Sequence, residues 1–228
     1  MLTESALQNG ASSHKFQPSP RQEPPARPYA FRGVGSIELM GPIISMRRNA
    51  EIYRQNDRAD HFYKVVSGTV RTCRGLIDGR RQIGAFYLPG DLFGLETDGR
   101  HAFSAEAVIG VEVMSIKRTT AAALAKWDSE MRTLIGCELR HTQDHVLLLI
   151  KTAPERVASF LLEMAARIES GDEIELPMPR QDIADYLGLT IETVSRTLTQ
   201  LENQAAIALP TSKRIVLRNR AILKRLNS

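Results

Sequence analysis

Short apolar runs, separated by glycine and polar turn residues, fill the first half of the chain. They occupy residues 62–66, 69–71, 83–88 and 111–116, and the turn after the first of them contains Ser67-Gly68. Strands at such regular intervals with glycine turns predict an all-β barrel or roll. We expect this β-roll domain to occupy residues 31–118. The proline-rich polar stretch before it, residues 1–30, has no apolar core of a secretory signal and is interpreted as a disordered leader.

The apolar pattern changes to a helical period after residue 118. Apart from Gly136, neither glycine nor proline occurs before Pro154. Apolar or small residues recur at alternating steps of four and three, which is typical of the seam of a paired helix. The seam residues are Ile135, Leu139, Thr142, Val146 and Leu149. The pattern therefore predicts a dimerisation helix region at residues 119–152; the alternative is a single amphipathic helix lying on its own β domain.

Two short helical segments follow in the last domain, residues 153–228. A first helix is predicted over residues 180–187, with Ala184 as the small residue where two helices cross. Gly188 supplies the tight turn, Thr190 caps the second helix, and Val194 faces the shared core. This spacing predicts a helix-turn-helix.

The second helix of this pair carries polar residues on one face. Glu192, Ser195, Arg196 and Thr199 recur at steps of three and one, opposite the apolar positions. Arginine can donate two hydrogen bonds to guanine, glutamate can accept one from cytosine N4, and serine can contact a base or a phosphate. The face is therefore predicted to contact bases in a DNA groove.

A β-hairpin is predicted after the second helix, over residues 207–217, with Lys213 and Arg214 at its tip. Such a wing offers cations to phosphate. The complete predicted set of DNA-contacting residues is Arg180, Gln181, Thr190, Glu192, Thr193, Ser195, Arg196, Thr199, Lys213 and Arg214.

Charge supports a polyanionic partner. The formal net charge of the 228-residue chain is +4, and residues 177–228 contain eight Lys or Arg against four Asp or Glu. The last fifth of the chain thus accounts for the whole excess, as expected for a domain that binds double-stranded DNA.

Other classes of protein lack support. No window approaches the roughly 18 apolar residues of a membrane helix, so we expect a cytoplasmic protein without a membrane partner. Cys73 and Cys137 are too far apart in sequence to suggest a disulfide framework or a thiolate metal site, and both are expected to be reduced and inert. No P-loop, nucleophile elbow or zinc-protease motif occurs. We therefore predict that the protein is not an enzyme and that it has neither catalytic residues nor a metal site.

This combination of a β-roll, a long dimer helix and a winged helix-turn-helix with Glu-Thr-Val-Ser-Arg at 192–196 resembles the CRP/FNR family of bacterial regulators. The α+β chain is particularly similar to the FixK branch through YKVVSGTVR (63–71), GRRQIGAFYLPGD (79–91) and FSAEAV (103–108). The resemblance implies a homodimer that recognises TTGAT-type palindromes. It also implies an activator that works with RNA polymerase on genes for low-oxygen respiration or nitrogen fixation.

The resemblance further implies that Glu192, Ser195 and Arg196 read bases. Thr142 stands at a position that resembles one occupied by aspartate in FNR-type oxygen sensors. There, repulsion between the aspartates of two copies helps to keep the apo-protein monomeric. The uncharged threonine here removes that repulsion.

Departures from the family pattern bear on cofactors. Cyclic-nucleotide-binding relatives hold the phosphate with an arginine where this chain has Phe103, although Arg100 could turn into the site. An iron–sulfur cluster needs four cysteines, and the chain has two. Four histidines could ligate haem on paper, but none lies in a haem motif and all are expected on the surface or on a helix face: His61, His101, His141 and His145.

We therefore expect no cofactor and activity without an effector. Two alternatives remain open at this stage: a receptor whose β-roll binds an unidentified small molecule, and an interaction module whose helix-turn-helix contacts protein.

Overall fold

The computed structural model describes residues 41–77, 79–122, 127–148, 150–168 and 171–227. The predicted leader, the first ten residues of the predicted roll and Leu149 of the predicted seam lie outside these ranges. The elements in chain order are β1 (Ile43–Met46), β2 (Glu51–Tyr53), β3 (His61–Ser67), β4 (Val70–Gly75), β5 (Arg81–Tyr87), β6 (Leu92–Phe93), β7 (Ser104–Ala107), β8 (Val111–Lys117), α1 (Arg118–Ala122), α2 (Trp127–Leu148), α3 (Ala153–Ile168), β9 (Glu173–Glu175), α4 (Arg180–Leu187), α5 (Ile191–Asn203), β10 (Ile207–Ala208), β11 (Arg214–Leu217) and α6 (Arg220–Asn227).

The first eight strands form two four-stranded antiparallel sheets, in the orders β1-β8-β3-β6 and β2-β7-β4-β5. Period-two alternation directs one face of β8 inward: Val111 and Val113 are buried, while Glu112 between them is exposed. Gly68 makes the turn between β3 and β4 at a φ of +84°, and a Cβ there would lie 2.3 Å from the Gly110 carbonyl oxygen. The predicted β-roll is confirmed.

The long helix α2 follows the roll and has 22 residues. Its seam residues Ile135, Leu139 and Val146 are 38%, 57% and 59% exposed, whereas Leu134 and Leu148 are buried against the rest of the chain. The helix therefore has one face inside the molecule and a second apolar face that the described residues leave exposed to solvent. Among the described residues, no helix is both long and apolar enough to cross a bilayer.

The C-terminal part is a winged helix-turn-helix. Helix α4 begins at Arg180 as predicted, and α5 begins at Ile191, directly after the predicted cap Thr190. Ala184 and Val194 are fully buried between the two helices. Gly188 takes the left-handed conformation with φ 63°, which ends α4. Strands β10 and β11 form the predicted hairpin. A third strand, β9, pairs with β11 and was not predicted, although buried Ile174 and Leu176 alternate with exposed or half-buried neighbours.

Candidate nucleic-acid interface

Helix α5 has one buried face, which includes the polar Thr197, and one exposed polar face. Val194, Leu198 and Leu201 are buried in the core of the C-terminal part. The exposed side chains on the helix include all four of the predicted reading face, together with Gln200, which the sequence reasoning missed: Glu192, Ser195, Arg196, Thr199 and Gln200. Gln200 follows Arg196 by one turn, and glutamine can pair with adenine, so its spacing was a usable signal.

The N-terminus of α5 is fixed by its own threonines. The Thr190 hydroxyl accepts a hydrogen bond from the Thr193 backbone N–H at 3.2 Å, and the two hydroxyls lie 3.0 Å apart. This confirms Thr190 as the cap. The backbone N–H of Glu192 and the Thr190 hydroxyl both hold the pKa of the Glu192 carboxyl below its usual value. The side chain is therefore ionised at neutral pH and can act only as a hydrogen-bond acceptor.

Helix α4 contributes two predicted contacts at its N-terminus. Pro179 precedes the helix and provides no side-chain cap, so first-turn N–H groups are available to an anion. Gln181 is exposed and donates to Asp185 Oδ1 at 2.7 Å. Arg180 is half-buried, its Nη1 has no hydrogen-bond partner among the described residues, and burial lowers its pKa.

The wing places Lys213 and Arg214 in different situations. Both are exposed, and the Thr211 hydroxyl accepts from their backbone N–H groups at 3.3 and 3.0 Å. The Arg214 guanidinium, however, forms an ion pair with Glu173 of β9. A phosphate would compete with that carboxylate for Arg214, so Lys213 is the stronger candidate for a phosphate contact.

A separate cavity of about 420 Å³ lies between the roll and α2. Phe103 lines it, and none of the described residues around it is a lysine or arginine. Arg100 does not enter it, because its Nη1 donates to the Asn56 carbonyl oxygen at 2.6 Å. The lining instead includes the carboxylates of Glu96 and Glu138. A phosphate would meet negative charge here rather than a positive partner.

Glu138 links α2 to the roll across this cavity. It accepts a hydrogen bond from the Tyr87 hydroxyl at 3.2 Å, and burial raises the pKa of the Glu138 carboxyl. The folded protein therefore holds this proton at pH values where the unfolded chain has released it. The resulting destabilisation is absent below the usual glutamate pKa of about 4.3, where both states are protonated. It grows as the pH rises through the raised pKa of the folded state and is constant above it.

Glu138→Gln keeps the acceptor for Tyr87 and removes the charge. We expect the variant to have a higher melting temperature than the wild type at pH 8 and a smaller advantage at pH 5. Thermal denaturation followed by circular dichroism measures both. The matched control is Glu175→Gln, at an exposed carboxylate. An unchanged or lower melting temperature of Glu138→Gln at pH 8 would contradict this assignment.

One histidine departs from the expectation. His101 is 2% exposed rather than on the surface; its ring stacks on Tyr53 with centroids 3.5 Å apart, and its Nδ1 lies 3.1 Å from Glu96 Oε2. The physical reason is that the neighbouring carboxylate and aromatic ring satisfy an imidazole that would otherwise be costly to bury. Within the described ranges, no cluster of three metal-ligating side chains occurs.

The environment of Cys73 supports the expectation that this thiol is unreactive. Cys73 is buried in β4, and burial raises the pKa of its thiol to about 12. Little thiolate exists at neutral pH, and the thiolate is the reactive form.

Comparison with known proteins places this geometry in a family. Residues 43–127 match the cyclic nucleotide-binding domain, and residues 155–226 match the Crp-like helix-turn-helix domain. The nitrogen fixation regulation protein FixK of Azorhizobium caulinodans is 50% identical over 202 residues, covering 84% of this chain and 82% of the relative. Its namesake in Rhizobium meliloti is 40% identical over 185 residues, covering 80% and 86%. The solved structure of FixK2 from Bradyrhizobium japonicum has a TM-score of 0.80 at 46% identity, covering 83% of this chain and 98% of that one. The chain therefore belongs to the FixK branch of the CRP/FNR family and is a DNA-binding transcription regulator.

Proposed function

We propose that the protein binds TTGAT-type palindromes as a homodimer without a bound effector. Through these sites it would act with RNA polymerase on genes for low-oxygen respiration or nitrogen fixation. The observation that carries the proposal is the exposed face of α5, where Glu192, Ser195 and Arg196 stand on a helix whose opposite side is buried. The relatives' name, nitrogen fixation regulation protein, supports the choice of target genes.

The proposed contacts divide between base reading and positioning. Glu192 and Arg196 present one acceptor and one bidentate donor, which can distinguish base pairs in the major groove. The uncapped N-terminus of α4 with Arg180 and Gln181, the Thr190–Thr193 pair and Lys213 would contact the phosphate backbone and fix the register. We assign this DNA-binding domain to residues 153–228.

The homodimer is supported by the exposed seam of α2. Ile135, Leu139 and Val146 form an apolar stripe that nothing else in the described chain covers. A second copy of the same stripe matches it in spacing and chemistry, as in a two-stranded coiled coil.

The effector-free state is supported by the chemistry of the cavity. Phe103 and two carboxylates take the place of a cationic phosphate site. We expect ligand-free protein to shift a TTGAT palindrome in a gel with nothing added, with an affinity that falls as salt rises. Titration calorimetry with cyclic AMP should show no heat of specific binding. A micromolar dissociation constant for cyclic AMP, or no DNA binding until a ligand is supplied, would overturn this part of the proposal.

A second candidate function is a ligand-gated regulator, because the cavity exists and touches both the roll and the seam of α2. Ile135, Leu139 and Thr142 are among its lining residues. A molecule bound there would contact the dimer helix directly. DNA binding by extensively dialysed or refolded protein distinguishes the two, because only the ligand-gated regulator loses affinity when small molecules are removed.

A further inference from the structure

A cluster of ion pairs joins the roll to the first helix of the helix-turn-helix. Asp182 on α4 accepts from Arg71 Nη1 of β4 at 2.5 Å and from Arg81 Nη2 of β5 at 2.6 Å. Arg81 also donates to Asp185, from Nε at 3.1 Å and from Nη2 at 2.9 Å. On the roll side, Glu106 of β7 accepts from Arg71 at 2.7 and 2.9 Å. We call these five side chains the interdomain cluster.

The centre of the cluster is buried where the two parts meet, whereas Arg81 and Glu106 at its edge are 30% and 24% exposed. The side chains of Asp182 and Arg71 are 2% and 8% exposed, and both Asp182 oxygens are occupied by guanidinium groups. Desolvation offsets much of the attraction in such a pair, so a buried ion pair is weak support for stability. Its donors and acceptors nevertheless accept only a narrow range of geometries, because a guanidinium binds carboxylates through a rigid planar fork. The cluster therefore defines an orientation between the roll and α4.

Apolar contacts beside the cluster extend this orientation to the dimer helix. Tyr186, also on α4, is buried against Phe86 of β5 with ring centroids 5.4 Å apart. On its other side the His145 ring of α2 stacks at 4.4 Å, and His145 Nε2 lies 2.8 Å from the Tyr186 carbonyl oxygen. Helix α4 thus contacts the roll and α2 at once, while it packs against α5 through Ala184 and its neighbours.

We propose that Arg81 and Asp182 are positioning residues that set which half-site spacing the dimer accepts. The inference rests on the proposed homodimer. In a dimer joined along α2, the separation of the two α5 helices depends on how each α4 is held against its own roll and α2. One extra base pair moves a half-site by about 3.4 Å along the DNA axis and rotates it by roughly 34°. The cluster resists that change. Without it fewer contacts oppose the change, namely the packing of Tyr186 on Phe86 and the hydrogen bond that Arg167 of α3 donates to Asp91 at 2.7 Å.

The test measures the spacing profile in two variants that do not touch the reading face. Arg81→Gln removes the ion pairs of Arg81 with Asp182 and Asp185 and leaves Arg71 paired with Asp182, whereas Asp182→Asn weakens the contacts of both arginines from the α4 side. Dissociation constants are measured on palindromes with the optimal spacing and with one base pair added or deleted. We expect the wild type to lose about tenfold or more in affinity when the spacing changes, which is within the range of about 5–150-fold that is typical of coupling between two parts of a protein. Both variants should lose less than about threefold.

The controls separate positioning from folding and from base reading. Asp172→Asn is the matched control, because Asp172 pairs with Arg220 inside the DNA-binding domain and is exposed; it should keep the wild-type profile. Arg81→Lys retains a charged donor and should keep most of the spacing optimum, which preserves the test if glutamine impairs folding. Preference among single-base variants of one half-site should be unchanged in every variant.

Two results would overturn the inference in distinguishable ways. If the wild type has a sharp spacing optimum that Arg81→Gln and Asp182→Asn share, the cluster does not position the domain, whatever happens to overall affinity. If the wild type binds no palindrome more tightly than a single half-site, the proposed homodimer fails and this inference fails with it.

Discussion

Arg196→Ala should weaken binding by about 1–3 kcal/mol in each half-site and relax the preference for the guanine that Arg196 contacts. The side chain is exposed on α5, one residue after Ser195 and one turn after Glu192. If Arg196 pairs with guanine as proposed, its loss removes two hydrogen bonds and leaves those base acceptors without a protein partner. Binding curves on the palindrome and on every single-base variant of one half-site measure both the affinity and the preference.

Glu192→Ala separates base reading from general attraction to phosphate. An ionised carboxylate repels the DNA backbone, so its removal should slightly raise the affinity for unrelated DNA. If the carboxylate accepts from a cytosine amino group, the same change should lower discrimination at one base pair. Should Glu192→Ala rank all single-base variants as the wild type does, Glu192 reads no base and the assigned reading face is wrong.

Lys213→Ala provides the contrasting control at the wing. A lysine that contacts phosphate contributes equally on all sequences, so binding should weaken uniformly. The slope of log affinity against log salt should fall by about one, because one phosphate contact is released. Arg214→Ala should have a smaller effect, since Arg214 is paired with Glu173 in the protein without DNA.

The reading helix could be predicted from sequence because its signals are local. Gly188 and Thr190 mark the end of one helix and the start of the next within three residues, and the exposed and buried positions of α5 follow from a single helical period. The same reasoning found strands β3, β4, β5 and β8 of the roll, where glycine and polar turn residues separate apolar runs. Strand β9 was missed because it has only three residues, too few to establish a period.

Contacts between residues far apart in the chain could not be predicted in this way. Asp182 lies 111 residues from Arg71 and 101 from Arg81 along the chain, so neither its burial nor its partners could be inferred from neighbouring residues. The ion pair between Arg214 and Glu173, which are 41 residues apart, was not predicted for the same reason. Local sequence specifies elements and faces, whereas the relative placement of the domains depends on partners that only the folded chain brings together.

Thr142→Asp should convert the proposed dimer largely to monomer. Thr142 is exposed on the seam of α2, and its hydroxyl donates to the Glu138 carbonyl oxygen at 3.0 Å. The helix satisfies this hydroxyl, so the side chain adds no unpaired polar group to an apolar interface. An aspartate would instead face its own copy across the twofold axis, and like charges in contact there cost several kcal/mol, which is on the order of a hundredfold or more in the dimer dissociation constant.

The matched control for this prediction lies on the same helix. Thr133 is exposed, and its hydroxyl donates to the Ser129 carbonyl oxygen at 3.0 Å, as Thr142 does to Glu138. Nine residues separate the two threonines, which places them on opposite sides of an α-helix at about 100° per residue. Thr133→Asp therefore introduces the same residue with the same loss of helix propensity, but away from the seam.

Sedimentation equilibrium at micromolar protein should show a dimer for the wild type and for Thr133→Asp, and a monomer for Thr142→Asp. The loss of the dimer in Thr142→Asp should lower the affinity for the palindrome, because one dimer then no longer binds both half-sites. The base preference within a half-site should stay unchanged. A monomeric wild type, or a Thr142→Asp dimer as tight as Thr133→Asp, would show that this face of α2 does not join the two copies.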